Sequence, residues 1–208
     1  MPMPSREARL QRYLDRTEIF DLIRFERWCR DMKDWPGLVS CYVPGAHVRT
    51  TWFEGTVEEF ARASEAKMKR DSSAKHWIWP AHANIKGDRA TCESWSFMFD
   101  RLNFDGVEFD YNSFLRFFSR LVRTPDRGWR MTTFEGIYGR DALIPIMEGT
   151  TLSIDWDEAN KIRKSYRLMG YTQIKRGYAV PNDLIGDDDI EGRNAFYEEA
   201  REWVEGTD

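Results

Sequence analysis

Apolar residues recur every three or four positions from Ile19 to Trp28, with Ile19, Leu22, Ile23, Phe25 and Trp28 as the repeating set. That spacing predicts a helix with one face turned inward. Asp15, followed three residues later by Glu18, reads as a capping box, so the helix is expected to open there and run to about Met32. Pro36-Gly37 breaks it. Leu38 to Tyr42 predicts a short second helix ending before Pro44-Gly45, and residues 46–53 read as a strand. A third helix is expected from Gly55-Thr56 through about Lys69, with Val57, Phe60, Ala61 and Met68 as its inner face. Long strand-like runs follow at about 75–86, 89–101, 107–123 and 128–138. Lys86-Gly87-Asp88, Phe104-Asp105-Gly106 and Pro125-Asp126-Arg127-Gly128 separate them as turns. Helices first and a meander of strands afterwards is an α+β order, because parallel βαβ units would alternate the two.

The character changes near Asp141. Ile154 to Met169 reads as helical, Gly170 to Tyr178 as a short connection or strand, and Asn194 to Val204 as a final amphipathic helix beside the acidic step Asp187-Asp188-Asp189. Residues 1–140 are therefore read as one domain. Residues 141–208 form an extension expected to wrap it, cover its mouth or join an oligomer contact.

Composition narrows the class. The chain has 208 residues, 41% of them hydrophobic and 14% aromatic, enough for one good core. A net charge of −4 with both signs interspersed gives no basic footprint for nucleic acid. Apolar runs fall short of the roughly 20 residues that cross a membrane, and MPMPSREARL lacks the apolar stretch of a signal peptide, so a cytoplasmic location is expected. Cys29, Cys41 and Cys92 show no metal-binding spacing and are expected to be reduced, buried thiols.

The run Arg27 to Trp52, RWCRDMKDWPGLVSCYVPGAHVRTTW, followed by His76 in SSAKHWIWP, resembles the scytalone-dehydratase and SnoaL-like branch of the NTF2-like superfamily. The resemblance covers roughly residues 10–140. It implies a cone-shaped α+β barrel around a buried pocket, with N-terminal helices packed on a curved, mostly antiparallel sheet. It places Asp31, in RDMKDW, where the family keeps the aspartate that orients a catalytic histidine, and His76 where that histidine begins a strand. Three positions depart from the pattern. The tyrosine before the aspartate is Arg30 here, the strand tyrosine is replaced around Thr50 to Trp52, and the second catalytic histidine has no counterpart. By the same resemblance, Arg116 in FLRFF is expected to look into the barrel. A homodimer or homotrimer through the open sheet face is a family expectation.

The residues support the pair independently. Ile19, Ile23, Arg27 and Asp31 are spaced by four, so an apolar stripe continues into two charges on one helix face. Charges there must pair or face a cavity. The alternative is an exposed i,i+4 salt bridge worth about 0.3–0.5 kcal/mol. A carboxylate bonded to one imidazole nitrogen fixes the tautomer and leaves the other nitrogen basic near neutral pH. His47 and His82 are expected to be structural or exposed. A metal site is not expected, since His76 and His82 would stand roughly 20 Å apart along a strand. Period two puts Glu93, Trp95 and Phe97 on one sheet face, opposite Cys92, Ser94, Ser96 and Met98, and groups Asp110, Asn112, Phe114, Arg116 and Phe118. Glu93 and Arg116 are candidates to steer a departing hydroxyl or a phenolate, with a solvent-facing cross-strand pair as the alternative. Arg27, Trp52, Trp95, Asp110, Tyr111 and Asn112 are candidate substrate contacts. Trp52, Trp77, Trp79 and Trp95 would floor a pocket for flat aromatics.

Sequences of the GxGxxG, Walker and GxSxG types do not occur, which leaves proton transfer without a cofactor as the expected chemistry. The leading expectation is a lyase acting on a hydroxylated, phenolic aromatic substrate, as in the superfamily's lyases of lignin-dimer breakdown. A polyketide cyclase or ketosteroid-type isomerase would use the same acid–base pocket on another carbon acid. A non-catalytic small subunit of a ring-hydroxylating dioxygenase stays open, and would hold Asp31 and His76 apart or dry.

Overall fold

A computed structural model describes residues 4–70, 74–104 and 106–206. Helices α1 (Arg6–Met32), α2 (Trp35–Ser40) and α3 (Val57–Arg70) are interleaved with strands β1 (Tyr42–Arg49) and β2 (Glu54–Thr56). Four long strands follow, β3 (Lys75–Lys86), β4 (Arg89–Phe104), β5 (Val107–Thr124) and β6 (Gly128–Pro145). The last quarter holds α4 (Trp156–Ala159), a 3₁₀ turn at Lys164–Tyr166, α5 (Arg167–Lys175) and α6 (Ile190–Glu205). The sheet order is β2-β1-β6-β5-β4-β3, antiparallel except for the parallel pairing of β1 with β6. This is the expected α+β cone with helices packed in a curved sheet, although the sheet does not close.

Several boundaries differ from the sequence reading for local reasons. Helix α1 begins well before Asp15, where Ser5 accepts the Ala8 amide at 3.1 Å. Asp15 and Glu18 lie inside the helix, where they anchor the end of β5 and the start of β6. Glu18 accepts the Trp129 amide at 3.0 Å, and Asp15 takes Arg123 at 2.7 Å and the Trp129 indole N–H at 3.4 Å. Phe25 and Trp28, expected to face inward, are exposed; Ile19 and Ile23 are buried. The second helix starts at Trp35 because Asp34 caps it, accepting the Gly37 amide at 3.0 Å. The continuous helix expected from Ile154 to Met169 is broken into α4 and the 3₁₀ turn, and Gly170 to Lys175, expected to be a connection or strand, lies within α5.

The core lies inside the cone. Ile19 and Ile23 of α1 and Val57, Phe60 and Ala61 of α3 meet Phe109, Leu121, Trp129, Met131 and Phe134 of the sheet. Each such side chain contributes about 1.5–3 kcal/mol by leaving water. A smaller cluster on the outer face joins Phe118 and Ile137 to Phe196 and Ala200 of α6. The extension therefore serves both faces: α6 lies on the outside of the sheet, while α5 closes over the inside. All three cysteines are buried and free. Among the described residues, no helix is long and apolar enough to cross a membrane.

Candidate functional site

Asp31 occupies the last turn of α1, which stops at Lys33 in the left-handed region (φ 67°). Its two carboxylate oxygens hold His76 twice: Oδ1 lies 2.7 Å from Nδ1 of the ring, and Oδ2 accepts the His76 backbone N–H at 2.7 Å. Lys75 donates to the Asp31 carbonyl, so the helix end is tied to β3 at successive residues. Both side chains are buried, at 8% and 5% exposure. Since a carboxylate only accepts, the ring's Nδ1 carries the hydrogen and Nε2 is left as the basic nitrogen. The imidazole packs 5.7 Å from the Phe117 ring on the inner face of the sheet.

Arg27 is buried as well, but its partner is Glu26 rather than Asp31. The guanidinium donates to the Glu26 carboxylate at 2.8, 2.9 and 3.2 Å, and the Tyr42 hydroxyl donates to Glu26 at 2.9 Å. Arg27 lies over the rings of Phe117 and Phe134, at 5.0 and 4.5 Å. The exposed salt bridge is thereby excluded, because Arg27 and Asp31 are both buried. Burial, and then the cations Arg27 and Arg30, outweigh Asp31 and bring the His76 pKa down to about 4. Asp31 stays below its usual value despite burial, through its bonds to His76 and the charge of Arg27. At neutral pH the dyad is thus a carboxylate behind an uncharged imidazole, the state in which Nε2 can take a proton.

His76 faces an interior cavity of about 60 Å³, whose walls include Arg27, Arg30, Trp52, Tyr111, Phe117 and Gln173. Helix α5 covers it with Met169, Thr172 and Gln173. An open groove of about 520 Å³ runs on the other side of the dyad, between α1 and the β3 edge, bordered by Trp28, Met32, Trp77 and Trp79. Asp141 on β6 holds α5 in place by accepting the Met169 amide at 2.7 Å, and burial raises its pKa to about 6.

Five of the candidate residues come together around this cavity: Asp31 behind His76, with Arg27, Trp52 and Tyr111 in the wall. The other five lie elsewhere. His76 pairs with Met98, and Met98 with Ser113, so this row points inward. Glu93, Trp95, Asp110, Asn112 and Arg116 have the opposite parity and project from the outer face. There Arg116 bonds Glu93 at 2.6 Å and Asp187 at 2.8 and 2.9 Å, and Tyr197 donates to Glu93 at 2.6 Å. That cluster fastens α6 to the sheet. Asp110 pairs with Arg101 at 2.6 Å. Trp77, Trp79 and Trp95 line an outer groove, so only Trp52 of the four tryptophans reaches the interior. His47 and His82 are exposed.

Sequence reasoning passed over Glu26, Tyr42, Arg30 and Gln173. The signal for the first and third was present in the helix period: Ile23, Glu26, Arg27, Arg30 and Asp31 continue one stripe at spacings of three and four. Tyr42 and Gln173 reach the site from distant segments and left no local pattern.

The shifts of His76 and Asp141 act oppositely on stability. The folded-state pKa of His76 lies below its unfolded value of 6.5, so its contribution is complete above pH 6.5 and lost as pH falls toward 4. Asp141 has a raised folded pKa, so its contribution is complete below 3.8 and lost as pH rises through 6. Each amounts to about 3 kcal/mol at 1.36 kcal/mol per pKa unit, and the two nearly cancel. Asp141→Asn, whose amide oxygen still accepts the Met169 amide, should unmask His76. Its urea-unfolding free energy should fall by about 3 kcal/mol between pH 6.5 and 4 relative to wild type. A parallel pH dependence in the two proteins would show that Asp141 titrates normally.

The chain is 28% identical over 204 residues to a PEP2-like protein of Fusarium vanettenii, with 93% of this chain and 87% of that protein covered. Among solved structures it is similar to an NTF2-like protein with a cystatin-like fold from Novosphingobium aromaticivorans. That match has 24% identity and a TM-score of 0.51, over 65% of this chain and 90% of the other. It is also similar in fold to the hexachlorocyclohexane dehydrochlorinase LinA-type3 of Novosphingobium barchaimii, at 16% identity and TM-score 0.52, over 70% and 98% of the two chains. The profile of the SnoaL-like domain matches residues 11–135, more than half of the chain, and with the cone fold around the helix-borne acid and strand-borne histidine, the chain belongs to the SnoaL-like domain family.

Proposed function

We propose that this protein is an acid–base lyase that removes water, or water and formaldehyde, from a hydroxylated phenolic substrate, with its own side chains carrying the protons. The observation that carries the reading is the buried Asp31–His76 pair, bonded at 2.7 Å and facing a cavity with its imidazole uncharged. A dioxygenase small subunit would have no use for an oriented, neutral histidine on a cavity wall.

In a para-phenol with a benzylic hydroxyl, Nε2 of His76 takes the phenolic proton. The electron pair moves through the ring and expels the benzylic oxygen, which leaves as water after accepting a proton. The product is a quinone methide. Loss of the neighbouring C–H proton to the imidazole restores the aromatic ring and completes a dehydration. If the neighbouring carbon bears a CH₂OH group, loss of its O–H proton with C–C cleavage releases formaldehyde, and the electron pair returns to the ring oxygen. Tyr111, a neutral phenol in the cavity wall held well above its ordinary pKa by burial and then by Asp141, can donate to the oxygen that leaves and take the imidazolium proton in exchange. Nε2 is then free again for the C–H or O–H proton, which it returns to the ring oxygen. Pockets that enclose drug-sized ligands run to about 300–1,000 Å³, so a two-ring substrate requires α5 to move off the cavity.

The test is to incubate the purified protein with a panel of phenolic dimers and hydroxylated aromatics, following loss of 18 mass units and free formaldehyde. His76→Gln should lower turnover by about 10²–10⁴-fold, the usual contribution of a general acid–base group. Full activity in that variant would overturn the assignment.

A further inference from the structure

We propose that the guanidinium of Arg30 is an anion receptor in the interior cavity, so that the molecule presented to His76 carries an anionic oxygen, most tightly a carboxylate. The proposal rests on the acid–base reading above and adds the charge of the substrate to it.

Arg30 is 3% exposed and lines the same cavity as His76. Among the described residues its Nε has no hydrogen-bond partner, and Nη1 meets only the Met68 sulfur at 3.5 Å, a weak acceptor. Burial, and then the neighbouring Arg27, bring its pKa down to about 10, against the opposing charges of Asp31, Glu26 and Asp100. Two of those carboxylates are committed elsewhere: both Asp31 oxygens bond His76, and Glu26 serves Arg27 and Tyr42. A buried guanidinium without a bonded carboxylate is costly, and its planar fork matches a carboxylate in two-point geometry.

Among the described residues, two further buried groups in this wall, the Tyr111 hydroxyl beside Ser113 and Gln173 Oε1, make no hydrogen bond of normal geometry. The amide of Gln173 can turn its NH₂ end to an anionic oxygen, and the Tyr111 hydroxyl, with one hydrogen, serves that oxygen or the one that leaves. Arg116, assigned from sequence to steer a phenolate, is occupied by Glu93 and Asp187 on the outer face. Arg30 therefore offers inside the cavity the charge that Arg116 does not.

The experiment is calorimetric titration of the full chain at pH 7 with formate, acetate and benzoate, each against its neutral amide. Formate and acetate suit the cavity as it stands, and benzoate tests whether α5 yields. At least one carboxylate should bind on the order of 10- to 100-fold more tightly than its amide. Arg30→Met should abolish the preference, and Arg30→Lys, which keeps the charge and loses the fork, should retain part of it. Circular dichroism establishes that the variants fold, and the Lys variant decides if the Met variant does not. Equal binding of acid and amide at every size, no binding of any carboxylate, or an unchanged preference in the folded variants overturns the receptor. His76→Gln should keep the preference. A carboxylate preference without turnover across the phenolic panel counts against the lyase reading alone, whereas turnover without the preference counts against the receptor alone.

Discussion

Asp31→Asn is expected to lower kcat/KM by about 10³–10⁴-fold while leaving the fold intact. The carboxylate of Asp31 accepts two hydrogen bonds, one from the His76 backbone amide and one from the ring. Asparagine has one acceptor and one donor end. The backbone N–H can only donate, so it claims the amide oxygen and the NH₂ group turns toward Nδ1. Nδ1 must then accept, which moves the ring hydrogen to Nε2 and removes the base from the cavity. The variant also loses the negative charge that would stabilise an imidazolium. The comparable exchange behind the histidine of a serine-protease triad costs about 10⁴-fold for the same reason. Steady-state kinetics on the substrate found by the phenolic panel, with circular dichroism as the folding control, would measure the effect. Activity within tenfold of wild type would mean that the tautomer of His76 does not matter, and the dyad would lose its role. In wild type, the acidic limb of kcat/KM should lie near the depressed pKa of His76, about 4, rather than near 6.5.

Glu26→Gln should be the most damaging single exchange for stability, at about 3–5 kcal/mol. Glu26 is 1% exposed and is the only hydrogen-bonded carboxylate of Arg27 among the described residues. Burial alone would lower the Arg27 pKa, yet Glu26, Tyr42 and Asp31 together hold it above its ordinary value, so the cation persists. A neutral amide leaves that charge between two phenylalanine rings with no bonded carboxylate and only the longer-range attraction of Asp31. For a chain of this size, each kcal/mol corresponds to about 2–4 °C, so Tm should fall by on the order of 10 °C. Urea unfolding at pH 7 gives the free energy directly. A loss below about 1 kcal/mol would show that water reaches Arg27 and shares the charge. The double variant Glu26→Gln/Arg27→Met should recover part of the loss, since removing both charges removes the uncompensated one.

The helix-borne acid and the strand-borne histidine were legible because both belong to local patterns. A four-residue spacing put Asp31 on the buried stripe of α1, and the family motif around RDMKDW tied it to His76 across 45 positions. The strands were legible because long period-two runs between glycine-containing turns have few other solutions. Their ends were less so: β6 runs on to Pro145, and α5 forms where Gly170 argued for a break. Helix α5 is short and only weakly amphipathic, and its place is decided by Asp141 at its start and by the cavity beneath it.

What the sequence by itself determined was the order of the first helices and the four long strands, the α+β class, the pairing of Asp31 with His76 and which strand residues stand on a common face. Which of the two faces points inward was decided only by the tertiary structure. Alternation has no sign, and here composition misled, because the outer face carries Trp77, Trp79, Trp95 and Phe114 while the inner face carries Ser94, Ser96, Asp100 and Ser113. Hydrophobicity alone would turn the tryptophans inward. The helices settle the matter from the other side: the apolar and charged stripe of α1 must be covered, and the face that covers it takes His76, Met98 and Phe117 with it, leaving Glu93 and Arg116 to hold α6 outside.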